Sequence, residues 1–254
     1  MNNPIKNISL LVIVCLLFNG NAMYAQTTQS LLRKSNKLEA VSKLEDSLHK
    51  QFDQKNFQWP PEQLYIRSFK YDRLLEIWIK DICNPQYKLF KSYKICMQSG
   101  TLGPKRLEGD FQMPEGFYYI NDFNANSNFH LSLGLNYPNA SDKVLSDSLR
   151  PGNDIYIHGH CVSSGCIAIE DKPIEELFLL TSLAKDNGQE FIPVHVFPVK
   201  FDIKKSFEYL AITTKNNQAL QKFSISLKAV FDYFEAKKQL PIIMVNKNGD
   251  YIVN

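Results

Sequence analysis

Several things are scarce in this 254-residue sequence, and each scarcity excludes something. Neither sign of charge dominates: 29 Lys and Arg stand against 26 Asp and Glu, for a formal +3. So small an excess gives no electrostatic case for a nucleic-acid partner. It tolerates an anionic polymer as substrate without calling for one. Cysteine is scarce, five in the chain, which is too few for the disulfide scaffold of a small secreted domain. No CxxC pair occurs, so the commonest spacing of zinc ligands is missing. There is no internal repeat and no low-complexity tract. The longest apolar run, residues 8–18, is short of the roughly 20 residues needed to cross a bilayer.

That run has a different meaning. Lys6 precedes it and small and polar residues follow, the order of a secretory signal, with cleavage expected after Ala22 or Ala25. A retained N-terminal anchor is the alternative. Val14 before Cys15 argues against a lipoprotein cleavage site. The expectation is export across the inner membrane to the periplasm or cell envelope. What remains is long enough for one sizeable domain with appendages. We divide the chain into a signal (1–25), a helical segment (26–61), a catalytic domain (62–200) and a C-terminal helix-and-strand extension (201–254).

Residues 28–56 carry leucines and a valine at helical spacing among charged side chains, and Trp59-Pro60-Pro61 stops any helix. Beyond the prolines the pattern alternates. LYIRSFKYDRLLEIWIK (64–80) reads as a hairpin turning at Tyr71-Asp72-Arg73. YKLFKSYKICMQSG (87–100) reads as a strand pair, and 116–121, 129–136, 154–159 and 191–199 as single strands. Residues 173–188 read as a helix opened by Pro173 and stopped by Gly188. An amphipathic helix over 215–238, two short strands and an Asn248-Gly249 turn close the chain. The fold class is mainly β with flanking helices, a sandwich or barrel-like core.

The chemistry concentrates in IYIHGHCVSSGCIAIED, residues 155–171. His158, His160, Cys161 and Cys166 offer metal-ligand atoms. On an extended strand, however, His158 and His160 share a face that Cys161 does not. A Cys161–Cys166 disulfide is a second reading, and a Cys83–Cys96 bond between neighbouring strands is sterically open. The third reading is nucleophilic. Small residues before Cys166 let the backbone turn and present N–H groups to a carbonyl oxygen. A cysteine nucleophile also needs an imidazole to take its proton, and His158 ends the preceding strand. That imidazole needs an acceptor at its second nitrogen. A backbone carbonyl near Gly159 would serve, since no nearby aspartate is evidently placed to do so.

IHG followed by SxGC resembles the catalytic signature of the L,D-transpeptidase (YkuD-type) domain. The spacing H-G-x-C-x-S-x-G-C is similar to its YafK-like branch, as are ordered blocks over roughly residues 64–200, including Met113-Pro114-Glu115-Gly116-Phe117. The resemblance implies a β-rich exported enzyme acting on peptidoglycan stem peptides without a cofactor or metal, with an envelope protein linked to peptidoglycan as a further partner. It implies Cys166 as nucleophile, His158 as base, Gly159 as the orienting carbonyl, and the N–H groups of Gly165 and Cys166 as oxyanion hole. Ser163, Ser164, His160, Lys105 and Tyr118 are candidate substrate contacts. Two positions depart from the wider family: Ser164 replaces a histidine, and Ala168 replaces an arginine suited to a substrate carboxylate. Transfer to an amine and hydrolysis by the same cysteine both stay open, as does a non-catalytic wall-binding module.

Overall fold

The structure is a computed structural model, and it describes residues 36–254. The expected signal and the first residues of the expected 28–56 helix lie outside that range. The N-terminal helix α1 (Asn36–Gln54) ends before Trp59, whose bond to Pro60 is cis. Strands β1 (Gln63–Phe69) and β2 (Leu74–Lys80) form the expected hairpin, Phe69 facing Leu74 across the turn. The 87–100 segment is one strand, β3 (Lys88–Lys94), and not a pair. Beyond it the chain touches the sheet again only at a single bridge, Met97 to Ala168. The alternation in ICMQS therefore reflects an irregular crossing held by that bridge.

Then follow β4 (Gly116–Asn124), β5 (Ser132–Leu135), α2 (Ala140–Leu145), β6 (Tyr156–His158), β7 (Ile167–Ala168), α3 (Asp171–Asp186) and β8 (Pro193–Phe197). Helices α4 (Lys204–Thr214) and α5 (Gln218–Lys237) and the hairpin β9 (Ile243–Val245) and β10 (Tyr251–Val253) complete the chain. No helix among the described residues is long and apolar enough to cross a membrane.

Strands β1 to β8 make one mixed sheet in the order β3-β2-β1-β8-β4-β5-β6-β7, curled into a half-barrel with helices on its flanks. The curl has a local cause. The first half of β4 pairs with β8 and its second half with β5, with a register shift between Ile120 and Asp122. A bulge of this kind bends a strand and increases its twist. The sheet therefore turns at β4, and β5, β6 and β7 form a separate wing.

Both faces of the central strands are covered, so alternation marks which helices a residue meets and not whether it is buried. Leu64, Ile66, Val194 and Val196 join the core that includes Ile174, Leu177 and Leu180 of α3. Phe69 and Phe197 lie on the other face with Leu227 and Phe231 of α5. Fully burying side chains of this size is worth about 1.5–3 kcal/mol each. Arg67 shares that second face, fully buried. Its guanidinium bonds Glu76 at 3.0 and 2.6 Å and Glu235 of α5 at 2.7 Å. Lys200 reaches the other Glu76 oxygen at 2.8 Å, and the Trp78 indole donates to the first at 2.9 Å. Burial pushes the Glu76 carboxyl up, but Arg67, Lys200 and Trp78 outweigh it and hold the group below its usual range.

Candidate active site

Strands β6 and β7 are parallel neighbours, with Ile157 opposite Ile167 and His158 opposite Ala168. Parallel neighbours usually need a crossover of a dozen or more residues. Here residues 159–166 suffice, because the strands are only three and two residues long. The loop leaves β6 at His158 and must return to the start of β7. Continuing the register one step back sets Cys166 level with Tyr156, which shares a face with His158. The parallel return thus gathers the histidine and the cysteine on one side of the wing.

Three attachments hold this loop. Cys96 and Cys161 form a disulfide with Cα atoms 5.6 Å apart. The His160 N–H donates to Asp171 Oδ1 at 2.9 Å. Ser163 Oγ donates to the Cys166 carbonyl at 2.7 Å and accepts the Gly165 N–H at 3.2 Å. Gly165 has φ +142°, a region open to glycine, and a Cβ there would lie 3.4 Å from the Gln112 carbonyl oxygen.

The disulfide corrects the cysteine assignments. Neither Cys161–Cys166 nor Cys83–Cys96 forms, and among the described residues Cys83 and Cys166 are the free thiols. Cys161 clips the loop and does not line a cleft. Cys96, Cys161 and Glu170 present ligand atoms within 4.8 Å of one another, but the disulfide occupies both sulfurs. His160 also departs from expectation. The strand ends at His158, and His160 takes φ +54°, so the two histidines do not continue one face.

His158 is 2% exposed, and its Nδ1 donates to the Gly159 carbonyl at 2.5 Å. In the neutral ring that bond leaves Nε2 as the acceptor. The Phe129 ring lies over the imidazole at 4.8 Å. Gly159 is packed so closely that a Cβ would fall 2.6 Å from Asp171 Oδ1 and 2.9 Å from the Phe129 carbonyl oxygen. Burial holds the His158 pKa below its ordinary value, with His160 adding to the effect and the Gly159 bond opposing it. Burial pushes the Cys166 thiol up, against a backbone hydrogen bond from Tyr156 and the charge of Lys105, with Asp154 reinforcing the rise. Both shifts favour a neutral thiol and a neutral imidazole. The thiol itself donates weakly to the Asp154 carbonyl at 3.7 Å.

The other candidate contacts divide. Ser164 and His160 are exposed at the loop's rim. Lys105 is 5% exposed, with its ammonium held by the Leu107 carbonyl and Asp110. Its charge acts on Cys166. Tyr118 is 3% exposed and donates to Asp142 at 2.9 Å, inside the core and not in a cleft. The Gly165 N–H is committed to Ser163, which leaves the Cys166 N–H as the remaining candidate oxyanion donor. Asp171 was missed as a neighbour of this site. Its signal was its place at the start of the helix after the motif, and only the loop's fold-back brings it to residue 160.

A family profile described as the YkuD L,D-transpeptidase catalytic domain matches residues 82–196. The "Putative L,D-transpeptidase YafK" of Escherichia coli strain K12 is 35% identical over 193 residues, which are 75% of this chain and 74% of that protein. The chain belongs to the L,D-transpeptidase family. The chain matches the protein of the same name from Escherichia coli O157:H7 equally well. A crystal structure of the helical cell shape determining protein Pgp2 from Campylobacter jejuni aligns with TM-score 0.42 and 17% identity, over 74% of this chain and 76% of that one. Membership of a peptidoglycan-acting family implies stem-peptide substrates and an envelope setting.

Proposed function

We propose that this L,D-transpeptidase is an exported cysteine acyltransferase working on peptidoglycan stem peptides, with Cys166 as nucleophile and His158 as base. The supporting observation is the commitment of His158 Nδ1 to the Gly159 carbonyl, which makes Nε2 the proton acceptor on the face shared with Cys166. Unloaded sites commonly hold such pairs apart until substrate arrives.

Cys166 Sγ attacks the carbonyl carbon of an L-centred residue as Nε2 takes the thiol proton. The C=O electron pair moves onto oxygen, where the Cys166 N–H stabilises it. Collapse breaks the C–N bond, the imidazolium gives its proton to the departing D-amino acid amine, and a thioester remains. An acceptor amine then attacks, His158 takes its proton, and the sulfur leaves and is reprotonated. With water as acceptor the same steps hydrolyse the bond. Ala168 favours keeping this second reading, because it is fully buried and offers no cation for a donor carboxylate.

Muropeptide product analysis tests the proposal. Wild-type protein is expected to give new cross-links or exchanged D-amino acids, and Cys166→Ala none while remaining folded. Shortened or released stems alone would assign hydrolysis in place of transfer. Full activity in Cys166→Ala would reject the nucleophile.

A further inference from the structure

The peptide unit joining Gly159 to His160 is gripped at both ends. Its carbonyl accepts the His158 Nδ1–H at 2.5 Å, and its N–H donates to Asp171 Oδ1 at 2.9 Å. The three groups form one line: carboxylate, amide, imidazole. We propose that Asp171 is the positioning residue of this site, acting on His158 through the 159–160 peptide in the way a directly bonded carboxylate would. The inference rests on the reading of His158 as base and goes beyond it by assigning the group that orients and polarises that base.

The physical case has three parts. First, hydrogen bonds in a chain polarise one another, more strongly where water is excluded. A carboxylate at the amide N–H draws electron density toward the carbonyl oxygen, which then holds the Nδ1–H more tightly and supports positive charge on the ring. His158 and Gly159 are both buried, so the imidazole–carbonyl end of the chain is shielded from water, while the Asp171 carboxylate at its other end is half exposed. Second, the arrangement depends on glycine. A Cβ at 159 would sit 2.6 Å from the same Asp171 oxygen, so only glycine lets the carboxylate approach. Third, the anchor is firm. Asp171 is the first residue of α3, whose Ile174, Leu177 and Leu180 are fully buried. No proton crosses the peptide. Its orientation fixes the tautomer, and with it the lone pair on Nε2.

Other charged and titratable groups surround the imidazole and belong to the account. His160 and Cys166 lie in its own loop. His130, before β5, stacks on His160 with ring centres 6.4 Å apart and bonds Glu175 of α3 at 2.6 Å. Asp171 Oδ2 is itself 3.7 Å from His160 Nε2, so protonation of His160 opposes the effect of Asp171.

The test compares Asp171→Asn and Asp171→Ala in the full chain, with two readouts. One is the titration of the His158 ring followed by NMR, which needs no substrate. The other is kcat/KM against pH. Asn keeps an acceptor oxygen without the charge, and Ala removes both. The expected result is a His158 midpoint displaced to lower pH in both variants, further in Ala, with the acid limb of kcat/KM moving the same way. The plateau should fall about tenfold in Ala, a fraction of what general base catalysis contributes in total. Because the side chain is half exposed, thermal unfolding should change little. A purely structural role at the start of α3 would cost stability and leave the His158 midpoint in place, and that result would overturn the proposal. So would equal loss of rate in Asn and Ala with no displacement. Failure of the base assignment looks different: His158→Ala would retain activity whatever the Asp171 variants do to the ring.

Discussion

At one end of the sheet, β1 and β2 run seven residues each and pair without interruption. At the other end, β6 and β7 have three residues and two. Each end holds a cluster of charged and polar groups, and the clusters are finished differently. Around Arg67, two glutamates, a lysine and an indole satisfy the buried charge among the rings of Phe69, Trp78, Phe231 and Phe234. Around His158, one ring nitrogen is satisfied by the Gly159 carbonyl, and in our proposal the other takes the reacting proton. The long strands hold position by ladder and packing. The short ones leave a loop that is clipped from outside by a disulfide and an aspartate, and braced from within by Ser163. On the proposed function, the complete network serves stability and the incomplete one serves chemistry.

The largest expected effect breaks the stable end. Glu76→Gln leaves Arg67 buried with half its compensation, and loss of one partner of such a pair costs about 3–5 kcal/mol. Chemical denaturation should register that loss. Glu76 is held below its ordinary pKa, so its stabilisation is full above the usual carboxylate range and disappears as pH falls through the depressed value. The acid side of the wild-type stability profile should therefore be steeper than that of Glu76→Gln. Parallel profiles would remove Arg67 from its keystone role.

Next is the clip. Replacing Cys96 and Cys161 together by serine should cost about 2–4 kcal/mol, typical of a native disulfide, and should also slow turnover, because the 159–166 loop loses its covalent tie. A variant with full turnover would show that Asp171 and Ser163 suffice to hold the loop.

The smallest change sharpens the contrast most. Gly159→Ala adds one methyl group to the functional end, where it meets a backbone oxygen and a carboxylate at under 3 Å. The peptide must shift, and its carbonyl leaves His158. Loss of kcat/KM by about ten- to hundredfold, roughly 1.4–2.7 kcal/mol, with little change in unfolding, is the expected pattern. A loss of stability without loss of rate would reverse the assignment of this end.

The same contrast explains what could be read from the sequence. The β1–β2 hairpin, α3, β8 and the closing hairpin were legible because sustained periodicity and turn residues act locally. The sequence singles out His158, Gly159 and Cys166 as a motif; the structure adds the His158–Gly159 hydrogen bond, and the catalytic roles are our proposal. Tyr118 lies in the core for a physical reason: alternation reports a face, and its face of β4 is covered, with the hydroxyl bonded to Asp142. Lys105 lies in a loop, where no periodicity announces its pairing with Asp110. The partner of Cys161 was not legible either. Cys96 lies 65 residues away, and spacing carries no record of the crossing that brings it near. Asp171 was hidden because it acts on a peptide bond, which has no letter of its own.

The central claim is that acyl transfer passes through Cys166, and the molecule contains its own control. Cys83 is the other free thiol among the described residues and is exposed on the surface. Mass spectrometry of protein quenched during turnover of a stem tetrapeptide should find the acyl group as a thioester on the peptide containing Cys166, with Cys83 unmodified and no adduct in Cys166→Ala. Turnover with no adduct on Cys166, or with Cys83 and Cys166 labelled alike, would contradict the account.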